Sequence, residues 1–316
     1  MQFRTQIPIL KSSAPIDYNS KLFSVGSCFA ENMSAKFDYY KLQNETNPFG
    51  IIFNPVSIEK IFRRVSEQKL FEEKDIFFHN ERWHCFDVHS DLSNSDRKEL
   101  LETLNKAITE THKWLKETTH IIITYGTSWV YRNTESDQIV ANCHKVPQKQ
   151  FTKELLSVNV IQESIQNTIE LIRNLNPNIH FIFTVSPVRH IKDGFVENQL
   201  SKSHLFSALH KTISHQPSAI NYFPSYEIMM DELRDYRFYA EDMLHPNQIA
   251  IDYIWKLFSE NYISETSFFE MKEVDEIQKS LRHRSFSPES EQHKKFLTKL
   301  QQKIDSLREK NPQIHF

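Results

Sequence analysis

The chain has 316 residues, with 38 basic and 41 acidic side chains, a net charge of −3 and 39% hydrophobic residues, room for one large α/β domain with additions or for two small domains. That balance argues against a polybasic surface for nucleic acid or anionic lipid, and no apolar run approaches the length of a membrane span. Three widely spaced cysteines suit a reducing compartment, and residues 1–8 lack the basic-then-apolar order of a secretory signal, so a cytoplasmic protein is expected.

Short apolar runs alternate with helical patterns, as in a parallel sheet built from βα units. Leu22–Val25 reads as the first strand, and a helix is expected from Cys28 to about Tyr40. Pro55–Val65 opens a second helix, with Ile58, Ile61, Phe62 and Val65 on one face. Phe77–Leu92 and Trp129–Val146 break the rhythm and read as hairpin insertions. Helical patterns over Glu99–Glu117 and Val160–Leu175 precede Ile121–Tyr125 and Phe181–Val185. These two continuous apolar runs are those of strands covered on both faces. Ile220–Phe223 is a weaker last strand, and Pro246–Glu260 a helix with proline in its first turn. Beyond Tyr262 the composition turns to mixed charge, and Phe296, Leu297, Leu300, Ile304 and Leu307 make a helical stripe. Residues 1–262 are thus expected to form one domain. Residues 263–316 are expected as a helical extension packing on the body or on a second copy of the chain.

Only four glycines occur, far below the usual ~7%. Gly26, Gly50 and Gly126 each end an apolar or mixed run at a polar cluster, where a positive φ or a close backbone approach is the expected need. In an open parallel sheet, ligands bind beyond the carboxyl ends of the strands. Ser27, Gly50, Ser128 and the loop bearing Arg189 and His190 fall at such ends. Late in the chain, Asp242 and His245 stand three residues apart before a proline, which biases His245 away from helical geometry. A serine hydroxyl needs a base to take its proton, and the base needs a partner to fix its tautomer. Ser27, His245 and Asp242 offer those roles. The backbone N–H groups of Ser27 and Gly50 are candidate donors to a developing oxyanion. The spacing alone says little, because Glu81/His84 and Glu117/His120 repeat it.

Gly26-Ser27-Cys28-Phe29-Ala30 resembles the signature of the GSCFA family, grouped with the SGNH (GDSL-like) hydrolases. Asn47-Pro48-Phe49-Gly50, Gly126-Thr127-Ser128-Trp129, Ala141-Asn142-Cys143-His144-Lys145 and Asp242-Met243-Leu244-His245-Pro246-Asn247 resemble its further blocks, over about residues 20–260. The resemblance implies a three-layer α/β/α sandwich on a parallel, flavodoxin-like sheet. It also implies a serine esterase site with Ser27 as nucleophile, Asp242 and His245 completing the triad, and Gly50 as an oxyanion donor. The wider superfamily carries an asparagine two residues after the third-block glycine, as an oxyanion donor; here that residue is Ser128. The Ser128 hydroxyl, or Asn142 reaching in from its insertion, is the candidate replacement.

Other readings stand beside this one. Ser27 as a plain helix cap and Cys28 as a small buried residue are the structural alternatives. His84-Cys85, His89 and Cys143-His144 match no usual metal-ligand spacing, so no metal and no cofactor is expected. Arg189, His190 and His144 are candidate substrate-binding residues. The expected activity is hydrolysis of a small-molecule or carbohydrate-linked acyl ester. Acyl transfer with the same triad, or a non-catalytic binding protein retaining the fold, are its alternatives. The C-terminal helices are the candidate surface for self-association.

Overall fold

A computed structural model describes residues 5–214 and 220–316. The Ile121–Tyr125 run forms the middle of a five-stranded parallel sheet, ordered β10-β9-β5-β1-β2. Its members are β1 (Lys21–Gly26), β2 (Gln43–Thr46), β5 (His120–Tyr125), β9 (His180–Val185) and β10 (Ile220–Tyr222). Reading the sheet strands in chain order, this is the 2-1-3-4-5 order of flavodoxin-like folds. Register places Phe23 beside Ile121 and Ile121 beside Phe181. Large side chains therefore align across three strands, and alternation sorts them to two faces.

Phe23, Val25, Ile121, Ile123, Tyr125, Phe181, Phe183 and Val185 belong to one buried cluster. It is completed by apolar stripes of α2 (Pro55–Glu67), α3 (Arg97–Glu117), α4 (Val158–Leu175) and α5 (Phe195–Ser214). Leu22, Ile122 and Ile182 face the other way, where α1 (Cys28–Tyr39) packs. After β10 the chain makes a single turn, α6 (Ser225–Glu227), and a π-helical turn at Ile228–Glu232. It then joins this second layer through α7 (Gln248–Tyr262), α8 (Ser267–Arg282) and α9 (Glu291–Lys310). Each fully buried Ile or Phe contributes about 1.5–3 kcal/mol by leaving water, so the two layers hold the sheet firmly. The result is the three-layer α/β/α sandwich expected. Within α9, Leu300, Ile304 and Leu307 are buried in the cluster that holds Ile16 and Tyr18, while Leu297 is half exposed. The extension thus packs on the body.

The insertions are a hairpin of β3 (Phe77–His79) and β4 (Arg82–His84), and a separate sheet ordered β7-β6-β8. In the latter, β6 (Trp129–Asn133) pairs with both β7 (Ile139–Val140) and β8 (Phe151–Leu155). Pro246 lies outside the first turn of α7: it bridges to Tyr239, and Asn247 caps the helix by accepting the Ala250 N–H at 3.1 Å. Among the described residues no helix is long and apolar enough to cross a membrane.

Candidate functional site

The carboxyl end of β1 is shaped by Gly26. With φ +140°, it runs so close to β5 that an added Cβ would lie 2.2 Å from the Thr124 carbonyl oxygen. Only glycine fits there without moving backbone. Ser27 follows as the N-cap of α1, 1% exposed, its Oγ accepting the Phe29 N–H at 3.3 Å. The residue expected as nucleophile is therefore also the cap of α1. Asn47 pins this turn from just beyond the end of β2: its Oδ1 accepts the Gly26 N–H at 2.9 Å, and its own N–H reaches the Ser24 carbonyl at 2.9 Å.

The expected backbone oxyanion donors are both engaged. The Ser27 N–H donates to the Thr124 carbonyl at 3.2 Å, and the Gly50 N–H closes the Asn47–Gly50 turn at 2.7 Å. Gly50 has φ +72°, and a Cβ there would meet the His89 Cβ at 2.3 Å. Ser128 is also turned away from the sheet edge. Its N–H donates to Ser201 Oγ at 2.7 Å and its hydroxyl to the Ser201 carbonyl at 2.9 Å, which locks the third block onto α5. Asn142 is directed into its own loop, where Oδ1 accepts the His144 N–H at 2.8 Å. The Ser27, Gly50 and Ser128 donors are thus already engaged within the fold.

Asp242 and His245 do meet. His245 Nδ1 lies 2.5 Å from Asp242 Oδ2, and Asp242 Oδ1 accepts the N–H groups of Leu244 (2.9 Å) and His245 (3.0 Å). Those two N–H groups and the imidazole hold the carboxyl down to about 2. Met243, between them, takes φ +58°. Arg189 anchors this loop: its guanidinium donates to the Met243 carbonyl at 3.1 Å and lies 5.2 Å from the Tyr239 ring centre. Arg189 thus braces Asp242 and His245 through the backbone, where sequence suggested a substrate contact. Among the described residues no hydrogen bond joins Ser27 Oγ to the His245 ring.

His190 stands between the two halves. Its N–H donates to Asn198 Oδ1 at 2.8 Å, its ring packs 5.3 Å from Phe53, and its Nε2 is buried without a partner among the described residues. Gly126, at the end of β5, leaves room for it, since a Cβ would lie 3.1 Å from His190 Nε2. Burial first, then the charges of Lys202 and His245, bring His190 down to about 3, so it is neutral at ordinary pH. Lys202, on α5, is wholly buried, donates to the Ser186 carbonyl at 2.7 Å and sits 5.5 Å from the Tyr226 ring centre. Desolvation pulls it down to about 7, and Cys28 is the one charge partner that opposes this. Burial, then Glu31, raises the Cys28 thiol, so a reactive thiolate is disfavoured there. Cys28, Lys202, His190 and His245 therefore form a chain of electrostatic neighbours. That chain links the Ser27 turn to the Asp242–His245 loop. Sequence reading singled out neither Lys202 nor Asn198, because both lie on a helix it did not recognise.

His144 lies elsewhere, inside the insertions. It is buried, donates from Nε2 to the Cys85 carbonyl at 2.7 Å and packs 4.8 Å from His84. Burial lowers it to about 4 and pushes the Cys85 thiol up to about 12. These are features of a packed hairpin core. Among the described residues no group of three or more His, Cys, Asp or Glu side chains is arranged to hold a metal.

A family model described as "GSCFA family" matches residues 21–258, and a second, "GSCFA domain protein, C-terminal domain", matches 274–316. No curated protein is similar enough in sequence to match. Among solved structures, a carbohydrate esterase family 3 protein from Talaromyces cellulolyticus aligns at 8% identity and TM-score 0.39, covering 80% of this chain and 98% of that one. An acetyl xylan esterase, Est2A from Butyrivibrio proteoclasticus, aligns at 11% identity and TM-score 0.40, covering 85% of this chain and 66% of its own. At these scores neither likeness bears on what the chain does.

Proposed function

The chain belongs to the GSCFA family, and we propose that it is an SGNH-type serine esterase that cleaves an acyl ester through an acyl-enzyme. The observation that carries this reading is the Asp242–His245 pair. A carboxylate fixed by two backbone N–H groups holds Nδ1 of an imidazole in a loop rather than a helix, which leaves Nε2 free to act as a base. The loop is braced by Arg189 next to His190, at the edge where Gly26 delivers Ser27.

In the reaction proposed, the ester alcohol oxygen is the first leaving group. Ser27 Oγ attacks the ester carbonyl carbon as its proton passes to His245 Nε2, and the carbonyl π pair moves onto oxygen. The tetrahedral centre collapses, and the alcohol departs with the proton from His245. A water molecule then gives a proton to His245 and attacks the acyl-Ser27 carbonyl, and collapse releases the carboxylic acid and restores the serine. A sugar hydroxyl in place of that water gives acyl transfer. A carbohydrate-linked acetyl ester is the first substrate class to assay.

A second reading, a binding protein that keeps the fold without turnover, is favoured by one observation. Ser27 is buried, and the backbone N–H groups of Ser27 and Gly50 are already engaged. Fluorophosphonate labelling separates the two. Under the esterase reading the wild-type protein is labelled at Ser27, and Ser27→Ala abolishes both labelling and hydrolysis of aryl acetates. Equal labelling in both proteins removes Ser27 as nucleophile, and no labelling in either supports the binding reading.

A further inference from the structure

Resting on the esterase reading, we propose that His190 is the side-chain donor of the oxyanion hole, taking over the task that an asparagine in the third block would perform. An ester hydrolase must meet the negative charge that forms on the carbonyl oxygen with preorganised donors. The third-block residue does not do so here, because Ser128 gives both its N–H and its O–H to Ser201. Three buried polar atoms near the same strand end have no partner among the described residues, Tyr125 Oη, Arg189 Nε and His190 Nε2, and of these it is His190 Nε2 that is set over Gly126.

The surroundings suit that task. Gly26 pairs in register with Thr124, so Ser27 and Gly126 leave the ends of adjacent strands, and a carbonyl attacked by Ser27 would lie in the cleft between them. The absence of a side chain at Gly126 lets the imidazole lie against the end of β5, and Phe53 Cβ would stand 3.0 Å from any Cβ placed there. Phe53 packs one side of the ring, and Asn198 fixes its backbone. Burial first, and then the electrostatic influence of Lys202 and His245, disfavour a second proton on the ring. It therefore stays a neutral imidazole with one N–H to give. With that proton on Nε2, the ring donates to the oxyanion and keeps the proton throughout, while His245 alone transfers one. A buried hydrogen bond of this kind is worth most when its partner becomes an anion.

The test uses the full chain, with aryl acetate hydrolysis, fluorophosphonate labelling of Ser27, and the ¹⁵N spectrum of the His190 ring. His190→Ala is expected to lower kcat by about 10²–10³-fold, with KM little changed and the labelling rate falling in parallel. His190→Gln, whose amide can donate, should recover at least about tenfold of that loss. Wild-type His190 should show the Nε2–H tautomer, neutral from pH 5 to 9. A His190→Ala variant within threefold of wild type in kcat and labelling overturns the proposal. So does an Nδ1–H tautomer, a readout that needs no variant to fold. Wild-type protein that neither hydrolyses aryl acetates nor labels at Ser27 overturns the esterase reading, and this role with it.

Discussion

Replacing Lys202 with methionine should stabilise the protein at neutral and acid pH, by an amount that falls away as the pH rises. The folded chain buries this ammonium completely, against one carbonyl oxygen. Its proton is released near pH 7, compared with an ordinary value of 10.5. Between those values the unfolded chain binds more protons than the folded one, so stability rises with pH through this window. Below about 7 both states are protonated and the full penalty applies. At ~1.4 kcal/mol per unit, the shift corresponds to about 5 kcal/mol, a third or more of the stability of a typical domain. Methionine removes the charge but leaves the Ser186 carbonyl without its donor, a loss of about 1–3 kcal/mol. Lys202→Met should therefore be about 2–4 kcal/mol more stable than wild type at pH 6. By pH 10 it should be equal or slightly less stable. Urea unfolding followed by tryptophan fluorescence, at intervals from pH 6 to 10, measures both curves. A methionine variant less stable by the same amount at every pH would show that no desolvated ammonium resides there, and the reasoning would fail.

Two further outcomes follow from the site geometry. Gly26→Ala forces a Cβ into the Thr124 carbonyl at a φ that disfavours side chains, so it should destabilise by well over ~1 kcal/mol and abolish Ser27 labelling even where the protein remains folded in urea titration. Asp242→Asn should leave the fold intact but lose both the tautomer lock and the charge beside His245, lowering kcat by about 10⁴-fold, as in other triads. In the wild type the carboxylate that organises this loop is held below its ordinary value of 3.8. Its contribution is complete above about pH 4 and lost as the pH falls through about 2, which the His245 ring proton shifts should track.

Much of this architecture was legible in residue pattern. Continuous apolar strands such as Ile121–Tyr125 cannot be half exposed, so they announce a sheet covered on both faces. The stripes of α2, α3 and α4 announce what covers one of them. What escaped was less apolar or less regular. Gln43-Asn44-Glu45-Thr46 forms edge strand β2 with only polar side chains, because one neighbour and its backbone bonds to β1 suffice. β8 alternates weakly and joins a sheet assembled within an insertion. The helix α5 carries Asn198, Ser201 and Lys202 on its buried side ahead of Leu205 and Leu209, so the first half of its inward face reads as polar and breaks the apolar stripe. At the site, spacing brought Asp242 to His245. It could not indicate whether an N–H is already engaged, and the Ser27, Gly50 and Ser128 donors fail on that point. The Asn47 side chain was visible inside a recognised block, but its bond to Gly26 depends on the left-handed turn that follows β2.

The polar first half of the inner face of α5 connects these results. A helix that packs apolar residues throughout would stabilise this fold more than one that buries Ser201 and an ammonium. Ser201 takes both donors of Ser128, which removes the third block from the strand end. Asn198, one turn earlier, holds the backbone of His190, and Lys202 helps to keep that ring neutral. One helix thus withdraws a donor from the sheet edge and installs an imidazole there. On this account the stability lost to Lys202 and the oxyanion role of His190 are two consequences of a single feature. The pair can be dissected, because Lys202→Met should gain stability while raising the proton affinity of His190. If the methionine variant shifts the His190 titration by nothing, the two are independent, and the buried lysine has no part in the reaction.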